Sequence, residues 1–241
     1  MINMCVECIE KKINFSDGRY AHIVITTRKY DAKNINDIKD VSNKYNINIA
    51  NLKDCKQIHS SIVHNISSVD DIPGREGDGM VTSLKGIPLM IYTADCVPVV
   101  IIDTVKGVVA NIHAGWRGTY EKITANAVNI MQNEYGCSTK DMKCIIGPSI
   151  GPCCYEVSKE LIDKFNTIIT KEDLKFYIIK KDRYYLDLWK INQFILEECG
   201  IPSSNIECME LCTSCKNDIF FSYRKDNATS KRIGTIIEIK E

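Results

Sequence analysis

The stretch Ile87–Gly118, IPLMIYTADCVPVVIIDTVKGVVANIHAGWRG, decides how the rest of the chain is read. Ile87–Tyr92, Val97–Ile102 and Val108–Ile112 are short apolar runs rich in β-branched residues, bounded by Gly, Pro and Asp. Such runs predict buried strands. A lone cysteine, Cys96, and a lone histidine, His113, sit at the ends of two of them. After Gly118 the pattern turns helical. A reactive side chain at a strand end, beside a glycine-rich turn into a helix, is a common place for chemistry in α/β proteins.

Outward from this stretch, 241 residues suffice to bury a sizeable core, and residues 1–241 are expected to form one domain. The 31 Lys and Arg balance the 31 Asp and Glu, so no global field steers the chain to nucleic acid or anionic membrane. Charges run through Met1–Phe15 where a signal peptide would be apolar, and no run is long enough to span a bilayer. A cytoplasmic address and a monomer are expected, with no nucleic-acid or membrane partner.

The elements predicted around the central stretch alternate between strand and helix. Tyr20–Thr27 is a strand, and Asn36–Tyr45 a helix capped by Asn34 or Asn36. Lys56–Val63 alternates like a strand, which would send His59 and His64 to opposite faces. Asp70–Gly79 is a surface loop. Thr119 caps a helix over Tyr120–Tyr135 that stops at Gly136. Lys143–Ile146, Phe176–Ile179, Tyr184–Leu186, Phe220–Tyr223 and Ile233–Ile239 are strands, and Ser158–Ile169 and Leu188–Cys199 helices; residues 1–19 are ambiguous. Without strict βαβ regularity the expected class is α+β, with packed mixed sheets and helices outside.

The chain has 12 cysteines. With no secretory signal, most are expected to be reduced and buried. The two CxxC pairs, Cys5/Cys8 and Cys212/Cys215, together supply four thiolates, but from opposite ends of the chain and without zinc-ribbon spacing. Cys153 and Cys154 are taken as packing residues.

Only four histidines exist: His22, His59, His64 and His113. For each, an ordinary core or surface imidazole is one reading. The other is that His59, Cys96 and His113 converge as a three-ligand site, which for zinc leaves a fourth position open. Arg117, in the glycine-flanked turn before the helix, would add a bidentate donor for an anion beside the helix start, or simply cap a turn. Trp116 could stack on a flat ring or fill the core.

Ordered motifs extend these readings along nearly the whole chain: Thr27-Arg28, Gln57-Ile-His59, Gly77-Asp78-Gly79, Ala94-Asp95-Cys96-Val-Pro98, His113-Ala-Gly-Trp-Arg-Gly118, Ile146-Gly-Pro-Ser-Ile150 and Phe220-Phe-Ser-Tyr-Arg224. In these motifs the chain resembles the laccase-domain family, once called multicopper polyphenol oxidases and since described as purine nucleoside phosphorylases. The resemblance implies that His59, Cys96 and His113 bind a catalytic zinc. It implies phosphorolysis of adenosine, inosine, guanosine or methylthioadenosine, with adenosine deamination as a second activity. The partners would be a small-molecule nucleoside and phosphate. Arg28, Gln57, Arg117 and Arg224 are the expected substrate-binding residues, and Asp78 or Asp95 the expected proton carrier beside the ligands. One departure is Lys231, where the family usually has a glycine before arginine, which leaves the part of Arg232 open.

Three alternatives remain. Two histidines and a cysteine also suit copper, as in a copper-dependent polyphenol oxidase, although only His22 and His64 would remain for further copper ions. Cys96 with His113 could act as a metal-free cysteine hydrolase. A non-catalytic metal-binding protein is the third.

Overall fold

In the computed structural model, which describes residues 7–171 and 173–241, the apolar runs of the central stretch fall in two stacked sheets, while Tyr177–Lys180 and Arg183–Leu186 belong to a smaller three-stranded sheet. The inner sheet has six strands in the order 206–208, 142–146, Val97–Asp103, Val108–Ala114, Gly79–Thr82 and Val63–Asn65. Its middle is antiparallel, and both outermost strands join in parallel, so the sheet is mixed. The second sheet is antiparallel, in the order Cys8–Asn14, Tyr20–Thr26, Ile233–Lys240, Leu89–Thr93.

The two-residue period of a strand sorts its side chains between layers. Along Val97–Asp103, Val97, Val99 and Ile101 pack against helices, whereas Val100 and Ile102 pack against the second sheet. The helix layer contains α3 (Ile123–Tyr135), α4 (Lys159–Asn166) and α5 (Leu188–Glu198), which bury Ile123, Ala127, Met131, Ile162, Phe165, Ile191 and Ile195. On the far side of the second sheet, Val24, Met90 and Ile236 meet Ile38 and Val41 of α1 (Ile35–Tyr45). The layers therefore run helix, six-stranded sheet, four-stranded sheet, helix, an α+β arrangement. Buried Asn111 ties the sheets together, its amide donating to the carbonyls of Leu89 and Thr235 at 2.9 and 2.8 Å.

Helix α1 opens as expected, with the Asn34 side chain accepting the Asn36 N–H. Other expectations change. The helix expected over Tyr120–Tyr135 is two: α2 (Trp116–Tyr120) and α3, separated at Lys122, whose φ is 55°. Phe220–Tyr223 is not a strand. Phe220 and Phe221 are both buried between the sheets, and the Asp226 carboxylate accepts the Ser222 N–H and the Asn217 amide, which curls the backbone. Cys55–Lys56 and Val63–Asn65 are strands, but the stretch between them is a loop, so His59 lies on no strand. Asp70–Gly79 is a surface loop only at first: it carries a two-residue strand, Arg75–Glu76, and ends in a fully buried Asp78. The strands Cys8–Asn14 and Ile206–Cys208 carry no sequence signal strong enough to predict them. Among the described residues, no helix is long and apolar enough to cross a membrane.

Candidate metal centre

The hairpin Val97–Asp103/Val108–Ala114 builds two thirds of the site. Its register pairs Val97 with Ala114 and Pro98 with His113, so Cys96, one residue before the first strand, lies beside His113 near the end of the second. His59 arrives from the loop between Lys56 and Val63 with φ 61°, a left-handed conformation that a non-glycine residue adopts only when held there. Asp78 does the holding. Its carboxylate accepts the backbone N–H groups of Ile58, His59 and Ser60 at 3.3, 3.0 and 2.6 Å, and the Ser60 hydroxyl at 2.7 Å. The same carboxylate pairs with His113 Nδ1 at 2.8 Å. One buried acid thus positions two imidazoles from distant parts of the chain.

The ligand atoms of His59, Cys96 and His113 all lie within 4.8 Å of one another. The imidazole rings of His59 and His113 meet edge to face, with centroids 4.9 Å apart. Gly115 faces this cluster without a side chain, and a Cβ there would stand 3.0 Å from His59 and 3.2 Å from the Cys96 sulfur.

Burial alone would push the Cys96 thiol up, but the charge and hydrogen bonds of His113 and His59 outweigh it and bring it down to about 6. Burial opposes charge on His113, yet Cys96 and Asp78 raise it to about 9. Burial would raise Asp78, and the donors from His113 and Ser60 hold it at about 2. This donor set fits a metal ion. It offers a thiol readily ionised at neutral pH and an imidazole whose Nδ1 is engaged by a carboxylate, which leaves Nε2 to coordinate.

The cluster lies at one end of a cleft of about 690 Å³. Its walls carry aromatic rings (Tyr92, Trp116, Tyr155, Tyr223) and cations (Lys33, Lys56, Arg224, Arg232), of which Lys56 is paired with Glu76. Lys33 sits over the Tyr92 ring, 3.4 Å from its centroid. Burial raises the Tyr155 hydroxyl to about 12, so it stays a neutral donor. Lys33 and Tyr92 belong to none of the sequence motifs, and only their three-dimensional position marks them. A second concavity, of about 770 Å³, lies near Asn166 and Tyr177 and has no histidine or cysteine in its lining.

The other candidate residues divide. Gln57 lines the cleft, but its amide closes a ladder with Tyr92, donating to the carbonyl at 2.8 Å and accepting the N–H at 2.7 Å. Asp95, at φ 89°, lines the cleft while accepting the Thr213 hydroxyl and the Arg224 backbone N–H, each at 2.7 Å. Arg224 lines it too, with a guanidinium N–H on the Glu156 carbonyl at 3.2 Å. Arg28 points elsewhere, paired with Asp226 over the Phe221 ring. Arg117 lies inside α2 rather than before it, exposed and stacked on Trp116 with 4.7 Å to the ring centroid.

The remaining histidines take no part. His22 pairs with Glu10, and His64 Nε2 with the Glu76 carbonyl. A different set of ligating side chains, Cys153, Cys154, Cys212 and Cys215, does converge. This corrects the packing role given to Cys153 and Cys154. Cys8 instead packs under α1, and Cys5 lies outside the described residues.

Comparison with known proteins places the chain among relatives of the same fold. Purine nucleoside phosphorylase YlmD of Geobacillus stearothermophilus is 33% identical over 196 residues, 78% of this chain and 72% of that protein. Purine nucleoside phosphorylase CA_C1699 of Clostridium acetobutylicum is 30% identical over 241 residues, 93% and 94% of the two chains. The crystal structure of Bacillus licheniformis hypothetical protein YfiH superposes with a TM-score of 0.85 at 29% identity, covering 91% of this chain and 93% of that one. A family model described as multi-copper polyphenol oxidoreductase laccase matches residues 7–240, and the chain belongs to that family.

Proposed function

We propose that the chain is a zinc-dependent purine nucleoside phosphorylase, with adenosine deamination as a second activity. The observation that carries this reading is one cleft uniting His59, Cys96 and His113 with aromatic walls and four cationic side chains. The relatives named phosphorylases support it. Zinc held by His59, Cys96 and His113 would supply a Lewis acid at that end of the cleft.

The chain's own residues do the rest. Tyr155 and Tyr223 offer faces on which a purine can stack. Arg224, Arg232 and Lys33 supply the positive charge that phosphate needs. In phosphorolysis a phosphate oxygen bonds to the sugar carbon as the bond from that carbon to the purine nitrogen breaks, and the purine leaves with the electron pair and takes up a proton. The three cations hold the nucleophile against positive charge developing on the sugar. Asp78 and Asp95 already accept several hydrogen bonds each, so we assign them to positioning: Asp78 orients both histidines, and Asp95 anchors the Arg224 backbone.

Two specific observations favour other readings. The family description and the two-histidine, one-cysteine donor set favour a copper-dependent polyphenol oxidase. The lowered Cys96 thiol beside a raised His113, itself oriented by Asp78, favours a metal-free thiol nucleophile.

One set of assays separates the three. Chelator-stripped protein is reloaded with zinc or copper and assayed for inosine cleavage against phosphate, adenosine deamination, and oxygen uptake with a phenol. Phosphate-dependent inosine cleavage restored by zinc and lost in Cys96→Ala is expected. Oxygen uptake that requires copper, without phosphorolysis, would establish the oxidase. Cleavage that survives in the stripped protein would establish the thiol.

A further inference from the structure

Four cysteines from two distant segments meet beside the cleft. Cys153 and Cys154 lie in the turn after Gly151, and Cys212 and Cys215 in the segment that follows Ile206–Cys208. Main-chain bonds join the segments: Ser149 N–H to the Leu211 carbonyl at 3.1 Å, and Thr213 N–H to the Ser149 carbonyl at 3.0 Å. All four sulfur atoms lie within 4.8 Å of one another. The Cys215 sulfur stands 3.4 Å from those of both Cys153 and Cys154. A tetrahedral zinc with Zn–S bonds of about 2.3 Å needs sulfur atoms ~3.8 Å apart, within the span seen here. The contacts differ from a disulfide, whose sulfur atoms bond at about 2 Å and which would use only two of the four.

A second feature suits a metal thiolate. The backbone N–H of Gly151 donates to the Cys212 sulfur at 3.3 Å. Such donors stabilise the charge left on a sulfur that has lost its proton. Cys212 is buried, while Cys153 and Cys215 are exposed, so an ion has an entry path from solvent.

We propose that Cys153, Cys154, Cys212 and Cys215 form a second metal site, a closed four-thiolate centre for zinc that clamps one wall of the cleft. Soft thiolates select zinc over the hard cations, and four of them leave no open position, so the site is structural. Binding one zinc(II) ion releases four thiol protons to solvent and leaves a complex of charge −2, which the Gly151 N–H partly offsets. The clamp has direct neighbours in the cleft. Tyr155 follows Cys154 and lines the wall, and Thr213, next to Cys212, donates to Asp95 beside Cys96.

The test counts zinc on the whole chain. Protein made with zinc supplied and kept reduced is weighed by native mass spectrometry. Wild type is expected to hold two zinc ions, and Cys96→Ala and Cys153→Ser/Cys215→Ser one each. Cobalt(II) added to metal-free Cys96→Ala should give strong thiolate-to-cobalt charge-transfer absorption, lost when Cys153→Ser/Cys215→Ser is added. A measurement free of any folding defect in the variants uses wild type alone. Zinc should shield Cys153, Cys154, Cys212 and Cys215 from iodoacetamide, and a chelator should expose them. Equal alkylation with and without zinc, iron in place of zinc, or a disulfide among the four in reduced protein would overturn the proposal. If only the cleft reading is wrong, Cys96→Ala will hold as much zinc as wild type, while Cys153→Ser/Cys215→Ser still holds less.

Discussion

At the residue scale, the weight of the cleft rests on Asp78. It is fully buried and accepts from three backbone N–H groups, a hydroxyl and an imidazole. Exchange for Asn keeps the shape but removes the charge and turns one oxygen into a donor facing donors. Asp78→Asn should destabilise the fold by on the order of 3 kcal/mol, since charge-assisted buried bonds are lost together. It should weaken zinc binding by roughly 10–100-fold, because the groups that orient ligands set their affinity. Urea unfolding and zinc competition with a chromogenic chelator measure the two effects. Unchanged zinc affinity would show that the His59 loop keeps its place without the carboxylate. Asp78 stood out in the sequence as an acid between glycines and as a candidate proton carrier. Its role as the organiser of two histidines depends on a loop closing over it.

At the element scale, the turn from Val108–Ala114 into α2 fits the His59 loop through missing side chains. A Cβ at Gly118 would stand 2.8 Å from the Ser60 carbonyl oxygen, closer than such atoms approach, so backbone must move. Gly118→Ala should therefore cost about 1–3 kcal/mol. It should also displace His59, lowering zinc affinity while leaving the Cys96–His113 hairpin in register. Thermal unfolding with and without zinc checks this: zinc should raise the melting temperature of the variant less than that of wild type. An equal rise would mean that the loop yields without losing its ligand. The two glycines flanking Trp116-Arg117 are thus legible in sequence as special. What they make room for, the His59 loop, is not.

At the scale of the whole molecule, the outer face of the four-stranded sheet carries a titrating group. His22 is 3% exposed, paired with Glu10 and placed across the ladders from Lys12 and Glu238. Burial pushes its pKa below the ordinary 6.5, outweighing the Glu10 carboxylate, and Lys12 and Lys240 add to the lowering. The folded protein therefore resists a proton that the unfolded chain accepts. Stability attributable to His22 is present above the unfolded value and is lost as pH falls through about 6.5. His22→Gln should flatten the fall in unfolding free energy between about pH 7.5 and 5.5 relative to wild type. The difference between the two proteins isolates His22 from His113, whose raised pKa acts with the opposite sign. Parallel curves for the two proteins would refute the assignment.

The local pattern determined much on its own. Short apolar runs rich in β-branched residues, bounded by Gly, Pro and Asp, predicted the strands of the central stretch, and glycine and asparagine marked helix ends, because these preferences act over a few residues. The hairpin brings Cys96 to His113 through a short turn, so that pair was legible too. His59 was named as a candidate but given the wrong setting, since its loop is held by Asp78 and by the Gly115 and Gly118 gaps. Phe220–Tyr223 has the composition of a strand, yet burial of both phenylalanines between the sheets and the Asp226 hydrogen bonds curl it. Cys153 and Cys154 met Cys212 and Cys215 only when the Ser149 and Leu211 backbones paired across some sixty residues of sequence. Contacts of that kind are set by layer packing and long-range register, which no local preference encodes.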